Sequence, residues 1–338
     1  MSVSHHGNFT WKIAAGLAAV YLIWGSTYLA IRYAVQTIPP YLMSGSRFIL
    51  AGLVLYMFAR YKSKEKPTAK NWISASIAGA ILLLGANGSV SWASTRVPSA
   101  ITALMLGMVP VWMVLLDWLW QKGPRPTLRV SAGIVFGFAG TGLLVTQGNF
   151  SGIQDLDPLG TVALLFAALA WATGSLYSRG GDLPASPILA TAMQMLAGGV
   201  LLVIAGLSGG ELQRLDPAGI SGVSLFSVFY LFLFGAIIAF SCYVWLLRVA
   251  PAALVATYAY VNPVIAVFLG WSIAGEIITS VTLVATGVIV MAVILITIPH
   301  KKTPLPSTGK IANETSASEA ILAPEYAADK APECRTTV

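Results

Sequence analysis

Apolar segments of membrane-spanning length recur along most of this chain. A helix needs about 20 consecutive, mainly apolar residues to cross the hydrocarbon core of a bilayer. Ten stretches of that length, each free or nearly free of charge, occupy residues 13–35, 41–60, 72–93, 98–119, 129–147, 158–178, 186–207, 224–247, 252–273 and 278–298. The sequence therefore predicts an all-α polytopic membrane protein with ten transmembrane helices.

The composition excludes a water-soluble globule. Of the 338 residues, 57% are hydrophobic and only 10% are charged, whereas soluble domains have roughly 45–50% apolar and about 25% charged residues. So few charged side chains cannot cover this much apolar surface in water, so the solvent for most of the chain is a lipid bilayer. The two cysteines, Cys242 and Cys334, are too few for a disulfide or metal framework. We predict no metal and no cofactor.

The distribution of basic residues predicts the orientation of the spans. Fourteen lysines and arginines, from Lys12 to Lys310, lie before the first span or in the even-numbered connections and the tail, whereas the odd-numbered connections carry only Arg96 and Arg214. Basic loops remain on the cytoplasmic side, so both termini are predicted to be cytoplasmic in an inner-membrane protein. A basic excess placed in loops points to membrane orientation and away from nucleic acid. The polar segment 303–338 is predicted to be a disordered cytoplasmic tail.

The two halves of the chain resemble each other. The segment WGSTYLAIR at 24–32 aligns with WATGSLYSR at 171–179, tryptophan on tryptophan and arginine on arginine. Further along, RVPSAITALMLGMVPV at 96–111 resembles RVAPAALVATYAYVNPV at 248–264, and both segments contain two prolines twelve residues apart. The matches occur in the same order in both halves, which indicates an internal repeat.

Each repeat holds five predicted spans, and this odd number determines how the repeats are related. The second repeat, residues 158–298, must enter the membrane from the side opposite to the first, residues 12–147. Inverted repeats of this kind are common in secondary transporters, whose substrate site lies at the repeat interface near the bilayer midplane. We therefore expect alternating access, in which the two repeats exchange conformations around a midplane cavity.

Five motifs resemble the drug/metabolite transporter superfamily. They are YLIWGSTY (21–28), PPYLMSGSRF (39–48), VPSAITALMLGMVPV (97–111), YAYVNPVIAVFLGW (258–271) and the Gly275-Glu276 pair. Over residues 12–298 the chain resembles the ten-helix EamA-type exporters, close to the YedA-like and YddG-like members. The resemblance implies a transporter fold but no single substrate, because the superfamily handles amino acids, sugars, nucleotide sugars and amphipathic toxins. One departure is that Glu276 follows Pro263 by thirteen residues, whereas Gly123 stands thirteen residues after Pro110.

The centres of the predicted spans carry aromatic, amide, hydroxyl and thioether groups. The candidate substrate-binding residues are Trp24, Tyr28, Asn87, Met105, Met108, Trp171, Ser175, Ser241, Tyr243, Tyr258 and Asn262. A pocket lined by such groups suits a partly apolar, uncharged or zwitterionic solute. The alternative is that these side chains only pack helices together. Trp24, Trp171 and Asn262 favour the functional interpretation, since they lie at span centres in related positions of the repeat.

Two prolines are candidate hinges. Pro110 and Pro263 lie at equivalent positions in the middle of predicted helices, where each removes a backbone hydrogen bond. Their symmetric placement favours a hinge beside the cavity, and a static bend is the alternative. The Gly133 and Gly137 pair on the fifth span predicts close helix packing, within the chain or between protomers. A monomer and a homodimer both remain open.

Charged residues are rare inside the predicted spans. Arg47 lies six residues into the second span, and we expect its side chain to reach the headgroups; contact with a substrate carboxylate is the alternative. Asp117 and Glu276 lie near span ends, and no acidic residue lies near a span centre. Intramembrane carboxylates are the usual proton relays, so their absence favours transport without carboxylate-based proton coupling. So sparse a cationic lining also argues against phosphorylated substrates.

Enzyme motifs give no alternative function. GLSGG at 206–210 matches the G-x-S-x-G nucleophile pattern, but it ends a predicted span. The histidines, His5, His6 and His300, are predicted on the opposite side of the bilayer from Ser208. The sequence therefore predicts a transporter of small organic solutes, an exporter of amino acids or related amphipathic metabolites. A drug or nucleotide-sugar transporter of the same fold, and a non-transporting membrane protein or enzyme, are the alternatives.

Overall fold

In the computed structural model, helices form most of the residues that it describes, and no strand occurs among them. These are residues 4–62, 65–120, 125–145, 157–250 and 258–297. The long helices are α1 (Ser4–Ala34), α2 (Pro40–Lys62), α3 (Ala69–Ala93), α4 (Ser99–Leu119), α5 (Leu128–Val145), α6 (Pro158–Gly180), α7 (Pro187–Ser208), α8 (Gly222–Tyr230, Leu231–Ile238 and Ala239–Val249 in succession), α9 (Tyr258–Ser272) and α10 (Ser280–Thr297). The predicted disordered tail lies outside the described residues.

Seven of these helices are long and apolar enough to cross a membrane. They are α1 to α4 and α6 to α8. The other three contain shorter apolar stretches at Leu128–Leu143, Val261–Ser272 and Ser280–Ile296. The all-helical membrane fold is thus confirmed, while ten complete crossings and the side of each terminus stay predictions.

Local capping explains where several helices begin. Asp157 accepts a hydrogen bond from the N–H of the third residue of α6, and the Ser186 and Ser221 hydroxyls do the same for α7 and α8. Thr68 and Asn71 form a reciprocal capping box at the start of α3. These side chains satisfy backbone donors that a helix start otherwise leaves free, so the connections between helices can be short.

Three helices depart from regular α geometry near their middle. The helices α3 and α8 contain π-helical segments at Ala80–Gly88 and Leu231–Ile238. The helix α4 is interrupted at Gly107, and Pro110 stands in the first turn of the segment that follows. Pro263, by contrast, lies inside α9. π-Helical turns loosen the backbone hydrogen-bond pattern and are frequent at functional sites. The third helix of each half, α3 and α8, is therefore a candidate part of the functional site.

The contacts between helices are related by a two-fold symmetry between the halves of the chain. The helices α2 and α7 pack together, as do α4 with α9 and α5 with α10. The helix α1 contacts α8 and α9, and the corresponding α6 contacts α3 and α4. Each of these contacts is reproduced when α1 to α5 are exchanged with α6 to α10.

Small residues allow the closest of these approaches. A Cβ atom on Gly45 of α2 would lie 2.9 Å from the carbonyl oxygen of Gly199 on α7. A Cβ atom on Gly133 of α5 would lie 2.9 Å from the carbonyl oxygen of Ala292 on α10, and one on Gly137 would lie 2.8 Å from Val111. The Gly133 and Gly137 pair therefore serves packing within the chain, as small-residue pairs do between membrane helices.

Large apolar side chains cover the outside of the helices. The exposed fraction reaches 89% at Leu128, 75% at Ile277 and 68% at Phe226. Inside, Leu104 and Leu164 are fully buried in a core shared by α1, α3, α4, α6 and α9. A surface this apolar is suited to lipid rather than to water.

Candidate functional site

Three aromatic side chains from three helices meet in the interior. The ring centroids of Trp24 on α1 and Tyr243 on α8 are 5.1 Å apart, those of Trp24 and Tyr258 on α9 are 5.2 Å apart, and those of the two tyrosines are 5.7 Å apart. Tilted and edge-to-face arrangements at these distances are favourable. Trp24, Tyr243 and Tyr258 are called the aromatic cluster below.

The π-helical segment of α8 orients the tryptophan. The indole Nε1–H of Trp24 donates a hydrogen bond to the carbonyl oxygen of Gly235 at 3.2 Å, and Gly235 lies within the π-helical residues Leu231–Ile238. Glycine leaves room at this point, where the nearest side-chain atom to an added Cβ would belong to Thr27 at 3.3 Å. The irregular helix thus supplies an acceptor for the half-buried indole.

Two further predicted residues adjoin the aromatic cluster. Asn262 is 5% exposed. We assign its amide with the NH2 group towards the carbonyl oxygens of Tyr258 and Tyr21, at 3.3 Å in each case, because the reversed amide would face these two acceptors with its own oxygen. Tyr28, one helical turn from Trp24, is close enough to Tyr258 for their phenol groups to interact electrostatically. Asn262 therefore holds α9 against α1 and fixes the position of Tyr258.

A second polar pair lies between α2 and α3. Arg47 is only 4% exposed, and its Nη2 donates to the Oδ1 of Asn87 at 2.7 Å. The guanidinium carbon lies 4.3 Å from the ring centroid of Phe48, and the Ser44 and Ser91 hydroxyls bond at 2.7 Å between the same helices. The expectation that Arg47 reaches the headgroups is wrong, because its side chain turns towards α3, where Asn87 offers an acceptor.

The remaining predicted lining residues lie on α4, α6 and α8. Met105 and Met108 on α4 are 0% and 1% exposed and belong to the helix-packing cores. Trp171 and Ser175 are half-buried on α6, where the Ser175 hydroxyl donates to the Trp171 carbonyl oxygen at 2.7 Å. Ser241 is half-buried on α8, two residues before Tyr243.

Glu276 joins three helices at one end of the bundle. Its carboxylate accepts hydrogen bonds from the N–H of Ser99 at 2.8 Å, the hydroxyl of Ser99 at 2.7 Å and the N–H of Ala100 at 3.0 Å. It also pairs with Arg32 of α1 at 2.8 Å. The carboxylate therefore satisfies buried backbone donors at the start of α4 and stabilises the positive end of its dipole. A left-handed turn at Gly275, with φ of 64°, brings Glu276 back towards the bundle.

Two other glutamates cap helices in the opposite half of the chain. Glu211, which follows α7, accepts from the N–H groups of Tyr41 and Leu42 at the start of α2, at 3.2 and 2.9 Å. Glu65, which follows α2, accepts from the N–H groups of residues 185–186 just before α7, at 2.8 and 3.1 Å. We did not predict from the sequence that Glu211 and Glu65 cap helices. The pattern that could have indicated it is an acidic residue shortly after the second helix of each half.

The sequence matches a known family model twice, once in each half. The model described as the EamA-like transporter family matches residues 11–146 and 158–298. These ranges contain α1 to α5 and α6 to α10, apart from the first residues of α1. The chain belongs to the EamA-like transporter family. As a member of the drug/metabolite transporter superfamily, it is a membrane transporter.

Relatives of this EamA protein share most of its length. It is 40% identical to the uncharacterized inner membrane transporter YedA of Escherichia coli (strain K12), over 83% of this chain and 89% of that one. It is 23% identical to the uncharacterized transporter YoaV of Bacillus subtilis (strain 168), over 77% of this chain and 88% of that one. A solved crystal structure of a protein matches with a TM-score of 0.58 and 20% identity, covering 85% of this chain and 97% of that one. The EamA protein is thus a multi-pass inner-membrane protein, and the solved structure shares its fold.

Proposed function

We propose that this EamA protein exports small organic solutes by alternating access between two inverted five-helix repeats, residues 12–147 and 158–298. The proposed topology has ten membrane crossings and both termini in the cytoplasm. In it, the first helix of each repeat packs against the third helix of the other, as α1 does with α8 and α6 with α3. Support comes from the exchangeable helix contacts, from π-helical segments in both α3 and α8, and from the reciprocal caps by Glu65 and Glu211. Inverted repeats of this kind underlie alternating access in other secondary transporters.

The aromatic cluster is the observation that carries this proposal. Its rings come from the first helix of one repeat and from two helices of the other, so a movement between repeats alters it. Aromatic faces bind the apolar part of a solute, and tyrosine hydroxyls bind its polar part. Amino acids and related amphipathic metabolites combine these two kinds of surface, and they are the substrate class we propose.

Pro110 and Pro263 are the proposed hinges for the movement. Pro110 stands just after the interruption of α4 at Gly107, and Pro263 lies inside α9, which packs against α4. Each proline leaves a carbonyl oxygen of the preceding turn without its helical donor. Bending at these points would move the halves of α4 and α9 that face the aromatic cluster and Glu276.

Transport by the purified full-length protein in liposomes tests this function. Uptake and efflux of radiolabelled amino acids, sugars and nucleotide sugars would be measured with and without a proton gradient. We expect amino acids to move without the gradient and the phosphate-bearing nucleotide sugars to fail. Movement of nucleotide sugars alone would favour the nucleotide-sugar alternative within the same fold.

A substitution in the aromatic cluster tests the binding site. Trp24→Ala removes a ring contact with both tyrosines and the bond to Gly235, and we expect transport to fall by about tenfold or more. Trp11→Ala is the matched control, since Trp11 lies on the same helix and is 70% exposed. Unchanged transport by Trp24→Ala would place the substrate site elsewhere.

A further inference from the structure

Arg47 is a buried cation without an anionic partner in the described residues. The ion pairs found there join Arg32 to Glu276 and Arg96 to Asp157, and neither includes Arg47. The Nε of Arg47 is buried and has no hydrogen-bond acceptor in the part of the chain that the structure describes. An unpaired charge inside a membrane protein is strongly unfavourable and marks a functional position by default.

The guanidinium of Arg47 retains a hydrogen-bond donor that no described residue accepts. Among the described residues, its hydrogen-bond partner is the Asn87 side chain, a neutral amide that accepts from one of the five N–H groups of the guanidinium. Asn87 is itself only half-buried and lies in the π-helical segment of α3. A planar guanidinium with unused donors is matched most closely by a carboxylate, which accepts two parallel hydrogen bonds.

We propose that Arg47, assisted by Asn87, binds the carboxylate of the transported solute. This inference rests on the proposed transport function and narrows its substrates to carboxylate-bearing solutes. The apolar part of such a solute would extend towards the aromatic cluster. Phe48 beside Arg47 shares a packing core with Phe240, and the Phe240 ring centroid is 6.2 Å from that of Tyr243.

The repeat supports one such site per molecule. The position that corresponds to Arg47 in the second half is Gln194, which is neutral. A helix-packing role common to both repeats would not require a charge at only one of them. The asymmetry is therefore consistent with Arg47 serving a ligand that is bound once, between the two halves.

Binding by the full-length protein in lipid nanodiscs tests the carboxylate site. The probes are the common L-amino acids, each paired with its amide, which lacks the carboxylate, and 3-phenylpropionate, which lacks the ammonium group. Affinity would be measured from the shift in unfolding temperature at increasing probe concentration. We expect at least one amino acid to bind about tenfold or more tightly than its amide, since hydrogen bonds to charged groups exceed the energy of a tenfold change.

Three variants separate recognition from folding. Arg47→Gln should abolish the preference for the acid over the amide, and Lys62→Gln, an exposed position on the same helix, should retain it. Asn87→Asp places an internal carboxylate beside Arg47, so it should weaken binding of the acid while raising the unfolding temperature without ligand. If Arg47→Gln does not fold, Asn87→Asp decides the question alone.

Two results would overturn the proposal. One is an unchanged preference for the acid in folded Arg47→Gln, or in Asn87→Asp. The other is a wild-type protein that no carboxylate in the panel stabilises. Transport of uncharged solutes in liposomes would then leave the proposed function standing without the carboxylate site, whereas the absence of any transport would remove the proposed function itself.

Discussion

Asn262 illustrates how a single polar residue can connect two helices of a candidate site through backbone carbonyl groups. Both hydrogens of its amide are directed to backbone carbonyl oxygens, those of Tyr258 on its own helix and Tyr21 on α1. Its burial leaves little surface for a ligand. The structure thus favours a positioning role, in which Asn262 sets the distance between Tyr258 and Trp24.

Substitutions of Asn262 should reveal this role through stability. In Asn262→Asp, a carboxylate would face two carbonyl oxygens, so we expect a larger fall in unfolding temperature than in Asn262→Leu, which loses the two bonds at a cost of about 1–3 kcal/mol. Thermal unfolding of the purified variants in detergent gives the comparison. A more stable Asn262→Asp protein would contradict the assigned bonding.

Carboxylate capping of another helix is the recurrent device at the scale of elements. Glu276, Glu211 and Glu65 each follow one helix and bond to the first amides of a helix distant in sequence. Such a cap joins two elements through charge-assisted hydrogen bonds, which are stronger than neutral ones. A rigid-body movement of either helix must break the cap, so these caps are natural points of control over opening.

Weakening the Glu276 cap should open its end of the bundle. Glu276→Gln loses the charge opposite Arg32 and places an amide NH2 near the donors of Ser99 and Ala100. In a Cys242→Ser, Cys334→Ser background with Val97→Cys, which is 1% exposed as valine, we expect an impermeant thiol reagent to react several-fold faster, up to about tenfold for a loss of 1.4 kcal/mol.

The matched control for the cap is Asp216→Asn. Asp216 accepts only a local bond from the N–H of Ala218 two residues later, in the connection between α7 and α8. Its variant should leave the labelling rate of Val97→Cys unchanged. Equal rates in Glu276→Gln and the control would show that the cap does not restrain this end.

At the scale of the whole molecule, helix contacts made by one half of the chain are repeated by the corresponding helices of the other half. The helices α2 and α7 pack on each other and are capped by the glutamates that follow α7 and α2 respectively. Because each of these helices begins where the other ends, the connection after α2 and the connection after α7 lie at opposite ends of the helix pair. The basic residues near Lys66 and their scarcity near Asp216 predict which side is cytoplasmic.

Labelling in intact cells tests this orientation. With the native cysteines replaced by serine, Asp216→Cys should react with an impermeant reagent in intact cells. Lys66→Cys should react only after the inner membrane is permeabilised. Labelling of both positions in intact cells, or of Lys66→Cys alone, would contradict the predicted topology.

Several features of this protein were determined by its sequence alone. Bilayer thickness and the need to satisfy backbone hydrogen bonds within each helix act locally, so apolar segment length predicted the membrane helices. Repeated motifs likewise predicted the family, whereas the functional roles of Trp24, Trp171 and Asn262 stay predictions. The shorter described parts of α5, α9 and α10 left ten crossings as a prediction.

Partners between helices were decided only by the tertiary structure. Whether Arg47 reaches headgroups or Asn87 depends on the rotation of α2 about its axis, which is set by the close approach of Gly45 to α7. The meeting of Trp24 with Tyr243 depends on contacts between residues more than 200 positions apart. Sequence patterns indicate whether each part of a helix faces lipid or protein. Which polar groups meet is determined by packing between helices that are distant in sequence, because that packing depends on the shapes of all neighbouring surfaces.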